Sequence, residues 1–163
     1  MSKKSSCPND GIMTPRYIAK RIIDQLPIEW FDALLDPFKG DGAFYDQFPE
    51  TMNKYWCEIT EGVDFFDWEK PVEWIISNPP YSKFTEVMKH SYEIADNIVY
   101  LIPLNKIVSS WGRVLDLDKF GGVKKIWIFQ ASKANFPFGF PACAVWIQKG
   151  YYGSVDVQLW KNL

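Results

Sequence analysis

The apolar run VEWIIS (72–77) ends abruptly in NPPY (78–81). Two consecutive prolines lack the N–H groups that a buried strand needs, so the strand must stop there. The same four residues can also do chemistry. The Asn78 amide oxygen and the Pro79 carbonyl can accept from both N–H groups of one amine. Pro79 and Pro80 hold these acceptors stiffly, and Tyr81 offers a ring face to a planar base or amide. An aromatic amine is a weak nucleophile, because its lone pair is delocalised into the ring. Acceptors that hold its N–H groups as the nitrogen pyramidalises stabilise the transition state more than the ground state. No covalent nucleophile or strong base is required, which suits a chain whose one histidine, His90, lies outside the segment. At average composition this tetrapeptide is expected by chance in fewer than about one chain in a thousand of this length, which argues against a plain turn.

A second cluster is DPFKGDGAF (36–44). Gly40 and Gly42 allow a tight turn and close approach of backbone to a ligand, and a helix opening behind them would offer free N–H groups to a carboxylate. Asp36 at the strand end suits a cationic group. A G-x-G pair on its own also reads as loop punctuation. Glu58 suits a ribose diol, and Asp64, with Phe65 or Phe66 beside it, suits the exocyclic amine of a purine. Taken singly, Glu58 is equally a solvated strand-end carboxylate and Asp64 a turn residue.

The elements that must position these residues follow from periodicity. TPRYIAKRIIDQL (14–26) predicts a helix with Thr14 as N-cap and Pro15 in its first turn. Strands are expected over 31–38, 54–59, 63–66, 72–77, 97–103, 124–129, 143–149 and 155–160. A short helix is expected after the glycine turn, and longer ones over 82–95 and 106–117, with Gly112 as the weak spot of the last. Strands alternating with helices imply a doubly wound α/β domain with a mostly parallel sheet, and the closing strand-to-strand run implies an antiparallel edge. Ligands sit beyond the carboxyl ends of such strands. The glycine turn, Glu58, Asp64 and NPPY all follow strands, so one edge of the sheet should carry the site.

The totals agree with one domain. At 163 residues and 47% hydrophobic content, the chain is long enough for one real core and short for two. Residues 1–11 read as a flexible terminus and 12–163 as one domain. No apolar run approaches a membrane span, and MSKKSSCPND has no apolar stretch behind its lysines, so no secretory signal is expected. Cys7, Cys57 and Cys143 lack metal-ligand spacing, so neither a zinc site nor a disulfide framework is expected, and a reducing compartment is. The net charge of −2 is not that of a strong nucleic-acid binder.

These motifs resemble those of the S-adenosylmethionine-dependent adenine-N6 DNA methyltransferases, in particular small phage-type adenine methylases. DPFKGDGAF is similar to that family's cofactor motif and NPPY to its catalytic motif, in cofactor-first order. GVDFFDWEKPVEWIISNPPY resembles the stretch between them, MTPRYIAKRII the element that closes over the cofactor's methionine end, and VYLIPLNKIVSSW the segment that follows. The likeness covers about residues 12–115.

The resemblance implies the Rossmann-like class I methyltransferase fold and S-adenosylmethionine as methyl donor. It implies methionine-end contacts from Thr14 and Pro15 and from Asp36, Pro37, Phe38, Gly40 and Gly42. Glu58 and Ile59 would meet the ribose, and Asp64 and Phe65 the cofactor's adenine. Asn78, Pro79, Pro80 and Tyr81 would hold the target amine. Phe136 or Phe138 would press on a flipped base, or else plug the core. Lys83 and Lys133, with Lys39 and Lys106, lie nearest the site and would meet a phosphate backbone, whereas Lys124 and Lys125 should face the opposite edge.

Two departures stand out. ITEGV (59–63) leaves room for a turn where the family has a helix, and no separate domain that reads DNA sequence is expected. A dimer mate or partner protein would then supply that surface. DNA is the leading substrate, in the cytoplasm of a prokaryote or phage-infected cell. RNA adenine and protein glutamine are alternatives, as is a cofactor-binding protein without transferase activity.

Overall fold

The computed structural model describes residues 11–50, 53–134 and 141–163. Among the described residues seven strands form one sheet: β1 (Leu34–Asp36), β2 (Lys54–Trp56), β3 (Val72–Ser77), β4 (Ala95–Ile102), β5 (Gly121–Gln130), β6 (Pro141–Lys149) and β7 (Asp156–Trp160). Their order is β2-β1-β3-β4-β6-β5-β7. The first four run parallel to one another, β6 runs antiparallel to both β4 and β5, and β7 is parallel to β5. The antiparallel strand thus belongs to the C-terminal end of the sheet but lies two places inside it, and β7 forms the edge. Four α-helices among the described residues accompany the strands: α1 (Arg16–Ile23), α2 (Phe84–Ile94), α3 (Asn105–Val108) and α4 (Trp111–Phe120). The apolar stripe of α1 (Ile18, Ala19, Ile22, Ile23) and that of α2 (Phe84, Val87, Met88, Ile94) are buried, as their 3.6-residue spacing requires. None of the described helices is long and apolar enough to cross a membrane.

Several expected elements change form for local reasons. Residues 63–66 make no strand: Asp64 accepts from the Phe66 N–H at 3.0 Å, which curls the chain into a 3-10 turn over Phe65–Asp67. The glycine turn is followed by a single 3-10 turn, Tyr45–Gln47, because Phe48 turns extended ahead of Pro49. The expected helix over 106–117 is two helices, broken at Ser109 and Ser110, where Ser110 is extended (φ −144°, ψ 127°); Gly112 is accommodated inside α4. Thr14 does not cap α1. Pro15 precedes the helix in an extended conformation, and the Thr14 hydroxyl is engaged by Asn78 instead.

Candidate active site

The chain after β1 folds back over its own strand end. Gly40 (φ 52°) and Gly42 (φ 85°) adopt the left-handed conformation that side chains resist. Space is short as well: a Cβ on Gly42 would sit 2.7 Å from the Asp46 carboxylate, and one on Gly40 3.1 Å from the Met13 sulfur. Asp46 is itself held by Arg16 of α1 (2.9 Å), whose other nitrogen donates to the Asp41 carbonyl (2.8 Å). The amino end of α1 is thereby clamped to the glycine turn.

Asp36 lies beneath this turn rather than at its mouth. It is 1% exposed and lines neither recess described below. Its carboxylate accepts from the Ser77 hydroxyl (2.6 Å) and from the N–H groups of Phe38 (3.3 Å) and Tyr45 (3.2 Å). Burial outweighs these bonds and raises its pKa to about 7. The expectation that Asp36 meets a cationic ligand group is corrected here: it ties both arms of the turn to the end of β3, one residue before Asn78. Four N–H groups of the turn, those of Gly40, Gly42, Ala43 and Tyr45, donate within the chain and are not offered to a ligand.

Glu58 stands across from the turn. One oxygen accepts from the Gly40 N–H (2.9 Å); the other accepts from the N–H (3.0 Å) and hydroxyl (2.6 Å) of Thr60. Burial alone would raise its pKa, but the Thr60 and Gly40 bonds and the nearby Lys39 charge win, and the carboxyl sits below its ordinary value. A carboxylate offers about four acceptor positions. One stays open to a ligand hydroxyl on the oxygen facing Gly40.

Two recesses share Phe38, Glu58, Ile59 and Pro80. The larger, about 540 Å³, runs from Ile12, Met13 and Thr14 past Gly40 to Asn78; the smaller, about 220 Å³, is bounded by Pro37, Asp64, Phe65, Phe66 and Lys83. Thr14, Pro37, Phe38, Gly40, Glu58, Ile59, Asp64 and Phe65 therefore come together around one cleft at the carboxyl edge, while Pro15 and Gly42 stand outside its lining.

Asn78 closes the larger recess. Its Nδ2 donates to the Ile12 carbonyl (3.3 Å) and the Thr14 hydroxyl (3.2 Å). A carbonyl oxygen can only accept, so the amide is oriented with Oδ1 on the other side. The Tyr81 hydroxyl lies 3.5 Å from that oxygen and 3.4 Å from the Leu101 carbonyl. Tyr81 itself is buried, 9% exposed, which corrects the reading of an open stacking face. Pro79 is buried and Pro80 lines both recesses. Among the lysines, Lys39 pairs with Glu61 (2.8 Å), Lys106 reaches Tyr81, and the Lys133 carbonyl accepts from Tyr17 (3.4 Å). Lys124 and Lys125 bond Gln148 and Asp156, towards the other edge. Phe136 and Phe138 lie outside the described residues.

Sequence reasoning missed Ser77, Thr60, Ile12 and Met13. Ser77 flanks the motif, but only the β1–β3 pairing brings it to Asp36.

No protein-family profile matches the chain, and no curated protein matches it in sequence. Solved structures do match. A candidate class I S-adenosylmethionine-dependent methyltransferase from Listeria monocytogenes superimposes with a TM-score of 0.69 at 11% identity, over 98% of this chain and 69% of that one. The chain has the class I methyltransferase fold. A candidate RNA methyltransferase from Pyrococcus horikoshii shares this fold with it (TM-score 0.57, 14% identity, 82% of this chain and 80% of that one). So does the modification subunit of a candidate type I restriction enzyme from Vibrio vulnificus (0.63, 11%, 96% of this chain), of which the chain spans about half, 48%. In this fold the cleft lies where ligands of open α/β sheets bind, beyond the carboxyl ends of β1, β2 and β3.

Proposed function

We propose that the chain is an S-adenosylmethionine-dependent methyltransferase that modifies the N6 amine of adenine in DNA. The carrying observation is the Asn78 amide: its N–H side is spent on Ile12 and Thr14, which leaves its oxygen as the acceptor at the end of β3, on the wall of the larger recess.

The residues fit the methyl donor. The larger recess lies within the range of about 300–1,000 Å³ that small-molecule sites occupy. The Cβ-free floor at Gly40 admits close approach, Glu58 keeps one acceptor position for a ribose hydroxyl, and Asp64 with Phe38 and Phe65 bounds a mainly apolar recess for the adenine. When bound, the donor supplies a methyl group on a positively charged sulfur and would give it up with the C–S electron pair left on sulfur, as a neutral thioether. The chain's part is to hold the acceptor amine. Asn78 Oδ1 and the Pro79 carbonyl take its two N–H groups, favouring the pyramidal nitrogen whose lone pair forms the N–C bond. The amine's surplus proton then passes to water, so no strong base is needed. Lys83 and Lys133 follow the carboxyl ends of β3 and β5, the side from which a polynucleotide would enter. The likeness to a modification subunit supports DNA as substrate and a partner or second copy that reads sequence.

Incubation with radiolabelled donor and duplex DNA, single-stranded DNA, RNA and lysate protein in parallel tests this. Label should enter DNA as N6-methyladenine. Asn78→Ala should lower transfer on the order of 100- to 1,000-fold. Donor binding by calorimetry should weaken only a few-fold, through loss of the clip to Ile12 and Thr14. Equal loss of both would make Asn78 structural; label in protein or RNA alone would replace DNA as the substrate.

A further inference from the structure

Three cations beside the NPPY segment have no acidic partner among the described residues. Lys106 on α3 places its ammonium 3.5 Å from the Tyr81 carbonyl and 5.7 Å from the Tyr81 ring. Arg113 on α4 donates to the Lys106 carbonyl, and its guanidinium stands 5.7 Å from the Phe84 ring. Lys83, next to Phe84, stands 5.7 Å from the Phe66 ring at the smaller recess. Several other lysines are paired with acids, among them Lys20 with Asp24, Lys39 with Glu61, Lys125 with Asp156 and Lys149 with Asp96, whereas Lys70 and Lys124 bond only the neutral groups of Tyr55 and Gln148. No ion pair among the described residues includes Lys83, Lys106 or Arg113. Glu86 is exposed in the first turn of α2 and pairs with none of them. None of the three is in contact with a carboxylate among the described residues, on a chain of net charge −2.

The same stretch exposes large apolar side chains. Leu104 is 42% exposed, Val108 67% and Trp111 73%, all within the segment that leaves the carboxyl end of β4. Singly exposed apolar residues are ordinary, but three together beside unpaired cations are not. Cations that track phosphates and an aromatic ring on which a base can stack are the two components of single-strand recognition.

We propose that Lys83, Lys106 and Arg113, with Trp111 and Val108 beside them, receive the polynucleotide strand that flanks the target base. The cations meet its phosphates, and the Trp111 indole stacks on the base next to the target, supported by Val108. This surface supplies some of the holding energy that an extruded base demands. It rests on the reading of the site as a nucleic-acid methyltransferase.

The test is fluorescence anisotropy with a labelled adenine-containing single strand and with duplex, at several salt concentrations. Trp111→Ala should weaken single-strand binding on the order of 10-fold, and Trp111→Phe should restore most of it. At 73% exposure neither change endangers the fold. Lys83→Ala with Lys106→Ala should lower the slope of log affinity against log salt by roughly 1.4 for a single strand. Lys124→Ala with Lys125→Ala, at the opposite edge, should leave affinity and slope as in the wild type. Calorimetric binding of S-adenosylmethionine should be the same in the Trp111 variants and in Lys124→Ala with Lys125→Ala, none of which lines either recess. Unchanged affinity and slope in the Trp111 and lysine variants, in a protein that still methylates DNA, overturns this surface alone. A wild-type protein that binds the donor yet neither binds nor methylates nucleic acid overturns the substrate reading and the surface with it.

Discussion

Asp36→Asn separates two effects of burying a carboxylate. Enclosed under the glycine turn, Asp36 has its pKa raised from an ordinary 3.8 to about 7, because burial penalises the charge more than the bonds from Ser77, Phe38 and Tyr45 favour it. The Glu58 charge adds to the rise. A native state that holds its proton more tightly than the unfolded chain gains stability below the unfolded value and loses it as pH climbs to the folded value. From about pH 5 to about pH 7 the loss accrues at about 1.36 kcal/mol per pH unit, roughly 3 kcal/mol in all. Asparagine cannot ionise, so its stability curve lacks this slope. It also accepts on one oxygen only, whereas a protonated carboxyl still accepts on both, and three donors converge here. One unmatched buried donor costs roughly 1–3 kcal/mol. The variant should therefore be less stable than wild type by roughly 1–3 kcal/mol at about pH 5 and equal or more stable at about pH 8, the gap closing by roughly 3 kcal/mol. Neighbouring groups do not imitate this: burial pushes the Cys57 thiol up to about 12 and raises the Tyr100 phenol, while Glu58 titrates below its ordinary range. Urea denaturation at both pH values provides the measurement. Parallel curves for the two proteins would refute the argument, because Asp36 would then be ionised in the native state throughout.

Glu58→Gln should weaken S-adenosylmethionine binding on the order of 10- to 100-fold, about 1–3 kcal/mol, by removing acceptors shared between Gly40, Thr60 and a ribose hydroxyl. Unchanged affinity in calorimetry would confine Glu58 to holding the turn. Gly42→Ala should cost about 1–2 kcal/mol from backbone strain alone, and more as Asp46 shifts away from Arg16. Thermal denaturation should show Tm falling by about 2–4 °C per kcal/mol; an unaltered Tm would mean the turn relaxes at no cost.

Strand and helix identity was legible wherever spacing was regular and long. VEWIIS is β3 from Val72 to Ser77, as read, and the apolar stripes of α1 and α2 face the core. Boundaries governed by one side chain were not legible: the Asp64 bond to Phe66 turns a predicted strand into a 3-10 turn, and Ser110 splits a predicted helix. Position relative to strand ends was readable too, because a parallel sheet sends every strand's carboxyl end to one edge, and this grouped the glycine turn, Glu58 and Asn78; Asp64 lines the same cleft from a 3-10 turn instead of a strand end. What each side chain does at that edge depends on partners far away in sequence. Asp36 and Ser77 are 41 residues apart, Asn78 and Thr14 64 apart, and Arg113 meets Lys106 across a helix break. Burial therefore decided that Asp36 supports the turn from below and that Tyr81 is enclosed. Periodicity reports which face of an element is buried; it does not report which buried donor finds which acceptor, and that pairing is set when separate strands come into register.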